Sequence, residues 1–193
     1  MPRRSAEQQR LLRGLQAPPP RAARFLLGKL LVRRRGRKVQ VARIVETEAY
    51  LGTADPAAHS FRGRTRRTEP LWLDPGTAYV YFVYGMHHCL NVAVDRAGVP
   101  GCVLIRAAEL IKDDGAIDAR ACSGPGKLCR TLGIDTRLSG RHMFENGSTL
   151  ELREGRRPRR VGVSVRIGIR HAAERPLRFF DEASPAVSRR SKH

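Results

Sequence analysis

The sequence predicts an α+β fold: a single compact domain, mostly antiparallel curved β-sheet, with flanking helices and a protruding β-hairpin. Apolar residues alternate with period two in several segments, and those segments follow one another through short turns, as antiparallel pairing requires. Helix-like stretches are short and bounded by Pro and Gly. The chain has 193 residues, enough for one domain with a real core.

Taken in order, Ala6 to Leu15 reads as a short, loosely held helix. Ala17-Pro18-Pro19-Pro20 breaks it. Residues 1–20 are thus expected to be a flexible basic segment, 21–187 the folded domain and 188–193 a disordered basic tail. Arg21 to Leu27 reads as a helix ending at Gly28, and Lys29 to Val32 as a strand. Arg33 to Lys38 reads as a basic turn around Gly36. Val39 to Tyr50 is a long strand. Strict alternation along it places Ile44, Glu46, Glu48 and Tyr50 on one face.

Leu51 to Asp74 is a loop-rich insert carrying Arg62, Arg64, Arg66 and Arg67. After the Pro75-Gly76 turn, Thr77 to Tyr84 alternates as a strand with Tyr79, Tyr81 and Val83 on one face. Gly85 to His88 turns the chain, and Cys89 to Val94 returns as its partner. Cys102 to Arg106 reads as a further strand and Ala107 to Lys112 as a short helix. Ser123-Gly124-Pro125-Gly126 opens a helix from Lys127 to about Leu132. Val161, Val163, Val165, Ile167 and Ile169 form the most regular period-two run.

Composition narrows function. Lys and Arg number 37 against 18 Asp and Glu, a net charge of +19. Such a field attracts nucleic acid. Arginine dominates; Lys29, Lys38, Lys112, Lys127 and Lys192 are the only lysines. Arginine grips phosphate bidentately, although a GC-rich coding bias would give the same composition. No apolar run approaches the ~20 residues of a membrane span. The N-terminus lacks an apolar signal core, so an address beside DNA or RNA is expected: cytoplasm or nucleoid in a bacterium, nucleus in a eukaryote, and not secretion. Cys89, Cys102, Cys122 and Cys129 form no CxxC pair and read as buried thiols. Neither a metal nor a cofactor is implied.

Within this basic chain, Glu46 and Glu48 stand in one strand beside Tyr50. Strand rise separates their Cα atoms by roughly 6.5–7 Å, a spacing that suits an acid/base pair of the glycosidase type. All four tyrosines fall between Tyr50 and Tyr84. An aromatic ring at a hairpin tip on a cationic surface can stack on bases or wedge between them.

The strings Arg43-Ile44-Val45-Glu46-Thr47-Glu48-Ala49-Tyr50 and Ala57-Ala58-His59-Ser60 resemble the alkyladenine (3-methyladenine) DNA glycosylases. So do Pro75 to Tyr81, Tyr84-Gly85-Met86 followed by Asn91, Val103 to Ala107, and Gly124 to Cys129. The resemblance implies a repair enzyme that flips a damaged purine out of duplex DNA and hydrolyses its N-glycosidic bond. It implies Glu48 as general base and Arg106 as the group that helps hold the attacking water. Tyr50 and Tyr81 would sandwich the base, His59 read its edge and Asn91 crowd the 2-amino group of guanine. An alkylated, electron-poor purine would gain a cation–π-like attraction to these phenol rings. Tyr84, flanked by Met86, would wedge into the duplex. Lys127, Arg62 and Arg64 would meet phosphates. Glu46 becomes a supporting group.

The resemblance further implies alkylated or deaminated purines as substrates: 3-methyladenine, 7-methylguanine, hypoxanthine, ethenoadenine. With no lysine beside Glu48, a monofunctional, monomeric enzyme that leaves an abasic site is expected. His87 and His88 depart from the bulky apolar or aromatic residues common there, and the Arg62–Arg67 loop looks particular to this chain. Two rival readings stand beside this one. A non-catalytic RNA- or ribosome-binding module accounts for the charge but not for the two acids; a carbohydrate hydrolase accounts for the acids but not for the charge.

Overall fold

The computed structural model describes residues 4–188. Helix α1 (Ala6–Leu15) starts with a capping box, in which the Ser5 hydroxyl accepts from the Gln8 N–H and the Gln8 side chain accepts from the Ser5 N–H. Leu11 and Leu15 on this helix are fully buried in the main core. Those two leucines extend the packed unit ahead of the proline run, so α1 is not the loose segment that its polar composition suggests. Helix α2 (Pro19–Leu26) has Pro within its first turn, where the missing N–H costs nothing. It lays Ala22, Ala23 and Leu26 on the sheet.

Among the described residues nine strands follow: β1 (Leu30–Arg35), β2 (Lys38–Tyr50), β3 (Ala78–Val83), β4 (His87–Val94), β5 (Gly101–Ile111), β6 (Ile117–Asp118), β7 (Leu150–Arg153), β8 (Val161–Ser164) and β9 (Arg178–Asp181). They form one sheet with the path β3-β4-β5-β2-β1-β7; β6 pairs with β5, and β9 bridges β8 to β2. Every pairing of named strands is antiparallel. Helix α3 (Pro125–Leu132) packs on β4 and ends at Gly133, whose φ of 59° supplies the left-handed cap.

Several boundaries differ from the sequence expectation. The turn at Gly36 is tight: Arg35 still pairs with Lys38, so Arg33 to Arg35 are strand. Arg33 is buried and donates to the carbonyls of Arg34, Thr149 and Gly133. Ala107 to Ile111 is not a helix. Its backbone continues β5, paired as Ala108↔Ile44 through Ile111↔Val41, because a long partner strand satisfies its hydrogen bonds. The run from Val161 to Ile169 is a strand only to Ser164, and Val163 and Val165 are exposed rather than core. His87 and His88 belong to β4 and not to the tip; the turn is Tyr84-Gly85-Met86. The His87 ring lies on Gly126, where an added Cβ would come within 3.0 Å of it. All four cysteines are buried. The tail beyond Ser188 lies outside the described residues.

Strand β2 positions the site, and two irregularities shape it. Val45 is an extra residue on β2 and Arg106 an extra residue on β5. Beyond them the pairing returns to its original register, with Thr47↔Ile105 matching the offset of Ile44↔Ala108. Ala42, Ile44 and Ala49 therefore all join the main core, and the Thr47 hydroxyl donates to the Ala23 carbonyl beneath α2. Glu46, Glu48 and Tyr50 face the other way. The expectation that Ile44 shares their face fails, because strict alternation does not survive a bulge. Around Glu46 to Glu48 the backbone is paired on both edges, by β5 and by β9, which buries both acids.

Candidate active site

Glu48 is fully buried, with three groups aimed at it. Its Oε2 accepts from the Tyr50 hydroxyl at 3.0 Å. Its Oε1 accepts from the Ile167 N–H at 2.8 Å and lies 3.3 Å from Arg106 Nη1. Burial pushes its carboxyl above the ordinary glutamate range; Arg106, the Ile167 N–H and the Tyr50 hydroxyl oppose that rise. A carboxylate offers about four lone-pair directions, so these three donors do not exhaust its accepting capacity.

Glu46 is as buried but differently committed. Its Oε1 accepts from Arg178 Nε at 2.7 Å, Arg106 Nε at 3.1 Å and the Ser188 hydroxyl at 3.0 Å. Its Oε2 accepts from the Ser188 N–H at 2.7 Å. Arg106 thus spans the two acids, bonding Glu46 through one edge and approaching Glu48 with the other.

In front of this nest opens a cleft of about 400 Å³. Tyr50, His59, Tyr79, Tyr81, Asn91, Leu104, Arg106 and Ile167 line it, and Tyr84 reaches its mouth. The size and aromatic lining suit a small planar ligand. His59 Nδ1 is 2.9 Å from the Tyr79 hydroxyl, and its ring meets Tyr81 edge-on at 4.5 Å. Packing against these rings, then the charge of Arg67, lowers the His59 pKa and favours the neutral imidazole. Asn91 is buried; its Nδ2 donates to the Tyr79 carbonyl at 3.3 Å. Burial raises the Tyr50 and Tyr81 hydroxyl pKa values, so both remain protonated donors.

At the end of the β3–β4 hairpin, Tyr84 is 81% and Met86 69% exposed. Tyr84 holds φ at +54°, a left-handed conformation that is costly for an aromatic residue. That strain aims the ring outward next to the cleft.

Eight of the sequence-predicted residues thus gather in one place: Glu48, Arg106, Tyr50, His59, Tyr81, Asn91, Tyr84 and Met86. The three basic residues assigned to phosphates lie outside the residues that line the cleft. Lys127 and Arg62 are exposed, and the Arg64 guanidinium is held by both carboxylate oxygens of Glu69.

Other members carry no local signal in the sequence. Arg166 is buried, donates to Asp55 at 2.9 Å and to the Ala49 carbonyl at 3.0 Å, and lies 4.7 Å from the Tyr50 ring centre. Asp55 in turn accepts from the N–H groups of Leu51 and Ala57, so it fixes the loop that leads to His59. Arg178, Ser188, Ile167 and Tyr79 complete the set. In the sequence they are one arginine among many, a tail serine, part of an alternating run and a strand tyrosine.

A buried carboxylate behind an aromatic cleft, with an exposed ring at a hairpin tip and a strongly cationic body, is an arrangement that fits a base-excising DNA glycosylase. The family model described as "Methylpurine-DNA glycosylase (MPG)" matches residues 13–185, and the chain belongs to that family. Relatives include the "Putative 3-methyladenine DNA glycosylase" of Methanocella arvoryzae, 40% identical over 90% of this chain and 92% of its own length. The protein of the same name from Chlorobaculum parvum is 42% identical over 90% of this chain and 87% of its own. The mouse "DNA-3-methyladenine glycosylase" is 41% identical over 89% of this chain and 58% of its own. The chain is therefore a DNA repair enzyme that acts on DNA. No described helix is long and apolar enough to cross a membrane.

Proposed function

We propose that this glycosylase flips alkylated or deaminated purines out of duplex DNA and releases them by attack of a Glu48-activated water. The substrates are 3-methyladenine and 7-methylguanine, with hypoxanthine and ethenoadenine. The observation that carries this reading is Glu48: fully buried and ringed by Tyr50, Ile167 and Arg106, which themselves line a base-sized cleft. As the glycosidic bond lengthens, the sugar gains oxocarbenium character and the buried carboxylate takes a proton from the water that attacks C1′. Arg106, tied to Glu46, keeps that carboxylate ionised and orients the water.

Tyr50 and Tyr81 bracket the flipped base, with stacking worth ~1–3 kcal/mol per ring. His59 reads its edge, and Tyr84 with Met86 fills the gap left in the duplex. Asn91 crowds the 2-amino group of guanine; Asn91→Ser should raise guanine release relative to hypoxanthine, and an unchanged ratio would remove that role. Lys127, Arg62 and Arg64 contact phosphates, so affinity should fall steeply with salt.

Among the described residues no lysine lines the cleft, which supports a monofunctional enzyme that leaves an abasic site. Borohydride trapping of an enzyme–DNA adduct would overturn that. The enzyme acts as a monomer where the DNA is, in the cytoplasm or nucleoid of a bacterium or the nucleus of a eukaryote. The direct test is release of free base from an oligonucleotide holding one hypoxanthine or 3-methyladenine, with Glu48→Gln as control. Release by the native protein and none by the variant is expected; release by both would exclude Glu48 as the base.

A further inference from the structure

Each of the two aromatic walls of the cleft has a guanidinium against its ring. Arg166 lies 4.7 Å from the centre of the Tyr50 ring and Arg67 lies 5.7 Å from that of Tyr81. Neither arginine is among the residues that line the cleft, and Arg67 also hydrogen-bonds Tyr79, another lining residue. They differ in charge balance. Arg166 is neutralised by Asp55 and fully buried, whereas Arg67 is exposed and has no carboxylate partner among the described residues.

The negative face of an aromatic ring attracts a cation, but a cation already on one face competes with a second on the other. We propose that Arg67, acting through Tyr81, is a specificity-determining residue that biases the cleft toward uncharged damaged purines and against cationic ones. This rests on the glycosylase reading above. It reverses the expectation from the sequence that electron-rich phenols favour alkylated purines.

The physical argument is one of charge. A purine nucleoside alkylated at N3 or N7 is a cation, whereas hypoxanthine and ethenoadenine are neutral at pH 7. Stacked at ~3.5–4 Å on Tyr81, a base sits within roughly 10 Å of the Arg67 charge. At that distance a unit charge alters the capture of a cationic base by about three- to tenfold, after allowance for partial solvent screening. Cleavage shifts one unit of negative charge onto the departing base in both classes, so the field assists the bond-breaking step for both. The two classes part in capture. The depressed pKa of His59 fits the same positive field, since Arg67 contributes to it.

The test uses the full chain and two duplexes that differ only in the lesion, hypoxanthine or 7-methylguanine. Single-turnover kmax and K1/2 are measured for the native protein, Arg67→Gln and Arg67→Lys. The ratio of kmax/K1/2 for hypoxanthine over 7-methylguanine should fall about three- to tenfold in Arg67→Gln and hold in Arg67→Lys. An unchanged ratio in Arg67→Gln overturns the proposal. So does an equal fall in Arg67→Lys, which would make the effect one of shape. Parallel losses on both lesions with a shallower salt dependence would make Arg67 a phosphate contact and overturn it as well. A native protein that binds both duplexes and releases neither base would instead refute the glycosylase reading.

Discussion

The acid nest and the hairpin tip stand on either side of the same cleft and are built on opposite principles. Glu46 and Glu48 have no exposed surface, lie in a strand paired on both edges, and have their oxygens held by named donors. Tyr84 is 81% exposed, stands in a three-residue turn and holds a positive φ. Chemistry requires a desolvated carboxylate whose position is over-determined. Capture requires an apolar ring kept out of the core, so that burial is gained only when DNA arrives. A change in the nest should therefore cost rate or stability, and a change at the tip should cost capture alone.

The largest break is Glu48→Gln. Loss of the proposed general base should lower single-turnover excision by about 10³-fold while DNA binding holds, as measured by product formation beside a mobility shift. Next is Glu46→Gln, which leaves Arg178 buried against a neutral partner. Loss of that buried pair should cost about 3–5 kcal/mol in a urea melt. Stability equal to that of the native protein would show that Glu46 is not structural.

Tyr84→Ala should weaken capture of lesion duplex by about tenfold, in line with ~1–3 kcal/mol of aromatic stacking, with nonspecific binding nearly intact. Tyr84→Gly sharpens the contrast. It should melt up to about 1 kcal/mol higher, because glycine accepts the left-handed conformation freely, and still lose capture.

The smallest expected effect concerns pH. Because burial raises the Glu48 pKa, excision should fall off with acid at a midpoint above the ordinary glutamate value. The raised folded-state pKa also fixes the sign for stability. Protonated Glu48 favours the fold at low pH, and that contribution is lost as pH rises through the folded pKa. Glu48→Gln should thus be at least as stable as the native protein at neutral pH, with the gap closing as pH falls.

The sequence made legible what local pattern and turn chemistry control. The β3–β4 hairpin, α3 opening after Ser123-Gly124 and the break at the prolines were all readable. So were the residues inside motif strings, from Glu48 to Asn91. Illegible were features decided by distant partners. Ala107 to Ile111 has a helical composition, and only its pairing with β2 makes it strand. Among so many arginines, nothing local distinguishes Arg166 and Arg178, which are buried beside acids, from Arg62, which is exposed. Their roles are set by Asp55 and Glu46, more than 100 residues away in the chain.

The matched irregularities at Val45 and Arg106 have a consequence for how such a site can change by insertion or deletion. Each strand carries one supernumerary residue, and on β5 that residue is the site arginine itself. Removing either alone would leave the pairs Ile44↔Ala108, Glu46↔Ala107 and Thr47↔Ile105 in place around a single unmatched bulge, which bends the strand that carries it. Removing both would restore a regular sheet with every other residue on its present face, and would delete the cation between the two acids. Arg106 is thus an added tooth on one side of a zip, balanced by Val45 on the other. Deletion of Arg106 alone keeps the pairing but leaves the bulge at Val45 unmatched, whereas point substitution leaves both bulges standing in the backbone as a record of what the site once held.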